Sequence, residues 1–353
     1  MSCTGFWRKL ASAEERGAAA RILGAVLAIP AAPYGLVVRL RALAYAGGLF
    51  TVRNLDRPVI SVGNLTVGGT GKTPMVAYLA RRLMARGKRV AVISRGYGGS
   101  LEGETRIVSD GRTIVLSAAE AGDEPVHLAT SVPGLMTVIG ADRYAAGLLA
   151  LEQLNPDVFI LDDGYQHLRL HRDLNILLMD CNRPLGNGRT LPAGLLREPQ
   201  TAIGRADLVV YTRCTGGEAP AVHGMIPSCR AGHALTGAAL LPDGEVQPLA
   251  ALRGLRGVAF AGIAEPEGFF EALRREGLNV VATIPFADHA SYGEREVSML
   301  REAAAGADYL ITTGKDGVKL SAHLARLLPV YATVLEMRPL DPAPLEAALD
   351  KVL

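Results

Sequence analysis

At 353 residues the chain exceeds the length at which a single hydrophobic core usually stops growing, and 49% apolar with 20% charged residues excludes a disordered tail or a fibrous chain. The four cysteines (Cys3, Cys181, Cys214, Cys229) stand far apart with no C-x-x-C pair, so neither a zinc site nor a disulfide framework is indicated and reduced thiols in a cytoplasmic compartment are expected. The net charge of +2 conceals a split: residues 1–57 hold eight Lys/Arg against three acids, the remainder is mildly acidic, and nothing reads as an interleaved basic and aromatic nucleic-acid face.

The basic charges flank residues 22–38, seventeen uncharged and mostly apolar positions between Arg21 and Arg39. Pro30 and Pro33 stand in the middle, and proline inside a helix removes a donor and clashes with the carbonyl four residues back. The run is therefore expected to dip into one leaflet as a retained membrane-interface segment instead of crossing as a straight helix. A buried helical hairpin and a cleaved leader are the other readings of the same run.

Val59–Val62 is a β-branched run entering the turn Gly63-Asn64-Leu65-Thr66-Val67-Gly68-Gly69-Thr70-Gly71-Lys72-Thr73, after which Val76, Leu79, Ala80 and Leu83 keep helical spacing. Strand, glycine-rich turn and helix in that order make a phosphate cradle, because unpaired backbone N–H groups and the helix N-terminus both favour an anion. Gly68, Gly69, Thr70 and Gly71 would wrap the phosphates, Lys72 would reach the β/γ groups and the Thr73 hydroxyl would hold Mg²⁺. Thr66 occupies the place of the first glycine in G-x-x-x-x-G-K-[ST].

Further along, Arg89–Ser94 reads as a second strand ending in Arg95-Gly96-Tyr97-Gly98-Gly99, a basic loop able to fold over phosphates. Two short extended pieces around Arg106–Val108 and Thr113–Leu116 meet at Asp110-Gly111. Ala121-Gly122-Asp123-Glu124-Pro125 opens a helix, where two acids can simply favour the dipole. Met136–Gly140 is a strand followed by a helix to Leu154. Asp157–Asp163 is a strand closing on the pair Asp162-Asp163, which delivers carboxylates to the sheet edge where the phosphate loop also sits, as a metal site requires; Gln166 and His167 follow. Leu174–Asp180 and Leu208–Thr212 are strands, and residues 182–199 between them form a long loop with Arg183, Arg189 and Arg197. Thr215–Pro220 is the expected boundary, followed by a hairpin turning at Pro242-Asp243-Gly244. From Gly257 strands and helices alternate again as a smaller parallel α/β unit, with Asp288-His289 in a strand-end loop.

Six stretches, G-N-L-T-V-G-G-T-G-K-T-P, S-R-G-Y-G-G, G-D-E-P, D-D-G-Y-Q-H, L-P-A-G-L-L-R-E-P and F-A-D-H, follow one another behind a basic apolar N-terminus. In that order they resemble the tetraacyldisaccharide 4′-kinase family of lipid A biosynthesis. The resemblance implies an α/β fold, a P-loop NTPase-type parallel sheet flanked by helices, with a second smaller α/β domain and an N-terminal membrane-associated helical segment. Its divisions would be 1–50 for the membrane segment, 51–220 for the P-loop kinase core and 221–353 for the smaller domain with its linking hairpin. It implies Mg²⁺- and ATP-dependent transfer of the γ-phosphoryl group to the 4′-hydroxyl of a membrane-embedded tetraacyl glucosamine disaccharide 1-phosphate, giving lipid IVA at the cytoplasmic face of a Gram-negative inner membrane. Neither nucleic acid nor an obligate protein partner is implied.

Carried over by position, Lys72 and Thr73 serve phosphate and Mg²⁺, Asp162 and Asp163 the metal side, and Asp123 with His289 the catalytic pair. Arg95, Gln166, His167 and Arg197 match positions lining that site. Tyr165 stands where Phe is more usual, and T-T-G-K-D-G-V-K where T-E-K-D-A-V-K is, leaving Lys315 and Asp316 without a role. A sugar hydroxyl must lose its proton as it is phosphorylated, so Asp123 is expected to accept it with His289 in support. The alternative, a membrane-bound P-loop GTPase switch, would need N-K-x-D, whereas Thr313-Gly314-Lys315-Asp316 has Lys and Asp adjacent.

Overall fold

The computed structural model describes residues 7, 9–12, 14, 17–214, 226–242 and 244–353; the boundary expected at Thr215–Pro220 and the turn residue Asp243 lie outside them. Helix α1 (Ala18–Ala46) is one helix of 29 residues with Pro30 and Pro33 inside it. The expected break at the prolines is therefore absent, and so is a buried hairpin. The physical reason is docking. Ala20, Gly24 and Ala31 are buried. Arg189 Nη1 donates to the Gly24 carbonyl at 3.1 Å and Thr190 Oγ1 to the Ala31 carbonyl at 3.2 Å, so the helix is stabilised by docking on the protein body and not by replacement of the bonds that the prolines remove. Ile22, Val26, Ile29, Leu36 and Val37 remain exposed on the other side. By length and composition α1 can cross a membrane.

Among the described residues the strands form one sheet in the order β11-β10-β12-β13-β8-β7-β6-β1-β5-β2-β4-β3. In chain order these are β1 (Val59–Asn64), β2 (Val90–Ser94), β3 (Arg106–Asp110), β4 (Met136–Ile139), β5 (Val158–Asp162), β6 (Leu174–Asp180), β7 (Leu208–Thr212), β8 (Ser228–Leu240), with β9 (Val246–Gln247) hairpinned on β8, β10 (Arg256–Ala261), β11 (Asn279–Pro285), β12 (Tyr309–Thr313) and β13 (Val330–Pro339). The segment around Thr113–Leu116, expected to be a strand, makes only a bridge between Ser109 and Ile114. Strand β8 joins the two halves: its first residues run parallel to β7, and Ala231–Leu240 run antiparallel to β13.

The helices pack as the apolar spacing requires. Helix α2 (Lys72–Ala85) buries Met75, Val76, Leu79 and Leu83 in the same cluster as Ile60 and Val62 of β1 and Ile160 of β5. Leu345 and Leu349 of the last helix, residues 343–350, belong to that cluster too, and Arg82 donates to Glu346 at 2.8 Å. Helix α3 (Asp123–Ser131) starts with both acids in its first turn, where they complement the dipole. The thiols depart from expectation: Cys181 and Cys214 form a disulfide with Cα atoms 5.4 Å apart. The cause is topological. Parallel pairing of β6 with β7 sets Asp180 opposite Thr212, so the residues just beyond meet although 33 apart in sequence.

Candidate active site

The site forms where β1 and β5 are neighbours. Parallel register sets Val62 opposite Asp162, so the turn leaving β1 and the acids closing β5 emerge at the same edge. Gly71 lies in the left-handed region (φ 81°) at the start of α2, and Gly68 also has positive φ (117°). A Cβ at Gly71 would meet the His233 ring at 2.5 Å, whereas nothing lies within 4 Å of one at Gly68. Gly68→Ala is thus expected to cost about 1–3 kcal/mol of backbone strain alone. Gly71→Ala should cost more and weaken nucleotide binding. Denaturant unfolding and ATP titration of both variants check this; equal effects would show that His233 simply moves aside.

Lys72 Nζ lies 3.2 Å from Asn64 Oδ1 and 3.5 Å from Asp163 Oδ1. Arg197 donates to Asp163 Oδ2 at 2.8 Å. Burial alone would raise the Asp163 carboxyl, but Lys72 and Arg197 outweigh it and hold it below the ordinary value. Asp162 is different. Fully buried beside the acids Glu124 and Asp163, it is pushed up to about 7, and among the described residues neither of its oxygens has a hydrogen-bond partner. Two buried, unpartnered carboxyl oxygens at the end of β5, in the cleft that Thr73 also lines, are the hard oxygen donors Mg²⁺ takes.

Across the same cleft, of about 2410 Å³, stands Asp123. It is 7% exposed. Its Oδ2 lies 3.2 Å from His289 Nδ1. Burial pushes the carboxyl up, yet the His289 hydrogen bond with Lys315 and Lys319 brings it below the usual carboxylate value. The same hydrogen bond raises His289. His289 has φ 58°, and Asp163 (52°) and Arg213 (59°) share that uncommon conformation; all three line the cleft.

Gly68, Gly69, Thr70, Gly71, Lys72, Thr73, Arg95, Asp123, Asp162, Asp163, Gln166, His167, Arg197 and His289 all line this one cleft. Arg95 pairs with Glu102 at 3.3 Å. Gln166 donates to the Asn64 carbonyl at 2.9 Å. Burial and nearby Arg143 hold His167 neutral, its value lowered to about 4. Sequence reasoning passed over Arg213, which donates to the Gly69 carbonyl at 2.6 Å and reaches Glu265 at 3.0 Å, and Lys319, 3.8 Å from Asp123. Arg213 is an isolated basic residue outside any motif, and Lys319 closes the T-T-G-K-D-G-V-K stretch, in which nothing local marks it as reaching Asp123.

A family model described as tetraacyldisaccharide-1-P 4′-kinase matches residues 23–353. The chain belongs to this family. It is 95% identical to the tetraacyldisaccharide 4′-kinase of Geobacter sulfurreducens over 353 residues, the whole of both chains. It is 73% identical to the tetraacyldisaccharide 4′-kinase of Geobacter metallireducens, covering 94% of this chain and 99% of the relative. The solved structure of LpxK from Aquifex aeolicus in complex with ATP superposes with a TM-score of 0.79 at 35% identity, over 94% of this chain and 99% of that one. As a member of the tetraacyldisaccharide-1-P 4′-kinase family the chain is an ATP- and Mg²⁺-dependent kinase of lipid A biosynthesis, acting on a lipid A precursor. The GTPase alternative is thereby set aside.

Proposed function

We propose that this kinase performs its transfer with the P-loop of β1 and α2 holding the donor and the Asp123–His289 pair taking the proton from the acceptor 4′-hydroxyl. One observation carries the reading: the Lys72–Asp163 contact and the Asp123–His289 hydrogen bond line a single cleft. Gly68–Thr73 and Arg95 receive the phosphates, and Thr73, Asp162 and Asp163 would hold Mg²⁺. The ion, when bound, supplies neutralising charge to the phosphate oxygens. Lys72 and Arg197 contribute fixed positive charge where the transferring group gains negative charge. Asp123, an ionised carboxylate at neutral pH, accepts the hydroxyl proton, and His289 orients it from the loop after β11. Gln166 and His167 complete the wall.

The acceptor arrives from the membrane. Tyr34, Val38 and Arg41 of α1 line the cleft, Tyr34 OH donates to the Arg197 carbonyl at 2.8 Å, and Arg41 donates to the Gln166 carbonyl at 3.3 Å. A helix with one exposed apolar face and the other joined to the site lets acyl chains stay in lipid while the sugar enters the cleft. We place that surface on the cytoplasmic face of the inner membrane, where ATP is available. The division into 1–50, 51–220 and 221–353 belongs to the same proposal, with Glu265 and His289 of the smaller unit meeting Arg213 and Asp123 of the core.

The test is ATP-dependent phosphorylation of a tetraacyl disaccharide 1-phosphate in detergent micelles. Acceptor-dependent ADP release is expected, and its absence overturns the reading. For the membrane face, Ile29→Asp with Leu36→Asp alters two residues that are 74% and 56% exposed. Removing that much apolar surface from lipid costs on the order of 1.5–3 kcal/mol per residue, so vesicle partitioning should fall at least tenfold while ATP affinity is kept. Unchanged partitioning would refute the docking face.

A further inference from the structure

Asp316 is fully buried, in the turn that follows β12. Its Oδ2 accepts from the Gly262 N–H at 3.0 Å and from the Thr313 hydroxyl at 2.7 Å. Lys319, one turn on, places its ammonium 2.9 Å from Asp316 Oδ1. That ammonium also donates to the Ala290 carbonyl at 3.0 Å, stands 3.8 Å from Asp123 Oδ2, and lies over the Tyr292 ring, 5.4 Å from its centre. The His289 N–H in turn donates to the Gly262 carbonyl at 3.1 Å. His289 is therefore held from both sides: Gly262, fixed by Asp316, grips its N–H, and Lys319 grips the carbonyl of the next residue. A loop residue in the left-handed conformation needs such external support, because the backbone geometry is itself unfavourable.

We propose that Lys319, anchored by the buried Asp316, is a positioning residue for phosphoryl transfer: it clamps the His289 loop onto Asp123 and presents a fixed positive charge to the carboxylate. The inference rests on the reading of Asp123–His289 as the proton-accepting pair. A largely buried ammonium, its side chain 12% exposed, with a fully buried counter-ion costs desolvation and is a weak source of stability, so its placement against Asp123 calls for a role in the site. The charged and titratable groups around Asp123 are His289 from the loop after β11, Lys315 and Lys319 from the segment after β12, and Glu124 and His127 of its own helix. Lys315 is engaged by Glu124, which leaves Lys319 as the cation that reaches both Asp123 and the His289 loop.

Lys319→Met keeps an unbranched stem beneath Tyr292 and removes the charge. The expected result is a fall in kcat of about 10- to 100-fold, the scale of a misplaced catalytic group, with KM for ATP within twofold of wild type. The acid limb of the kcat–pH profile should move to higher pH, since an adjacent cation favours the ionised carboxylate and its removal raises that group. Lys319→Gln, which can still donate to Ala290, should shift the acid limb with a smaller loss of kcat. ATP affinity, measured separately, establishes that each variant is folded, and Lys319→Gln carries the test if Lys319→Met does not fold. An unmoved acid limb overturns the proposal. Asp123→Asn measured alongside separates the two claims: if it is inactive while the Lys319 variants behave as wild type, the positioning claim alone fails; if Asp123→Asn turns over normally, the proton-accepting reading fails.

Discussion

Asp123→Asn is expected to lower kcat by about 10²–10⁴-fold, the contribution of a positioned general base, while ATP affinity changes less than twofold. Asparagine is nearly isosteric with aspartate, and among the described residues the polar partners of Asp123 are His289 and Lys319, with no hydrogen bond or ion pair to the P-loop, so nucleotide handling is left alone. The pH behaviour supplies a second readout. The folded Asp123 carboxyl lies below its ordinary value and His289 above its own. The carboxylate's interaction is thus present above the unfolded aspartate value, near 3.9, and is lost as pH falls through the lower folded value. The imidazolium's share is fully present below about 6.5 and is lost as pH rises through the raised folded value. In Asp123→Asn the hydrogen bond to a charged partner is gone, so the His289 imidazole should titrate at lower pH than in the wild type, observable by NMR. A variant with near wild-type kcat, or with His289 titrating unchanged, would remove Asp123 from the role of base.

The parts of this site that were legible in sequence are those written locally. A strand, a glycine turn and Lys72-Thr73 at a helix start, or a strand closing on Asp162-Asp163, are each contained in about a dozen residues, and parallel α/β alternation then fixes their meeting edge. What remained hidden depends on distant partners. Helix α1 continues through Pro30 and Pro33 while Arg189 and Thr190, more than 150 residues away, dock it to the protein body at Gly24 and Ala31, on either side of the first proline. Cys181 and Cys214 pair because β6 and β7 are neighbours, a fact of topology and not of spacing. Asp316 and Lys319 lie close together in a plain G-K-D-G-V-K stretch, and only the return of their turn onto Gly262, Ala290 and Asp123 gives them a site. His233 likewise comes to Gly71 because β8 crosses between the two halves of the sheet.

Lys72→Ala should cost about 10²–10³-fold in kcat, the price of one preorganised charge in a water-excluded site, and should weaken ATP binding as well. Both effects follow from its position between Asn64 and Asp163, at the start of the helix that carries the cradle. The loss would not be a disguised unfolding. Asp163 keeps Arg197 at 2.8 Å on its other oxygen and the Asn64 amide N–H keeps its bond to the Thr66 carbonyl at 2.7 Å, while the buried Asn64 Oδ1 loses its Lys72 donor; that costs about 1–3 kcal/mol, which lowers the melting temperature but leaves the chain folded. Lys72→Arg then distinguishes charge from shape. Guanidinium retains the positive charge but is planar and larger than an ammonium, and the cleft between Asn64 and Asp163 is fitted to a point donor, so only partial recovery of kcat is expected. Full recovery would mean that net charge alone matters there. Normal turnover in Lys72→Ala would mean that the glycine turn is not the donor site, and the assignment of the transferred phosphate to this edge of the sheet would fall with it.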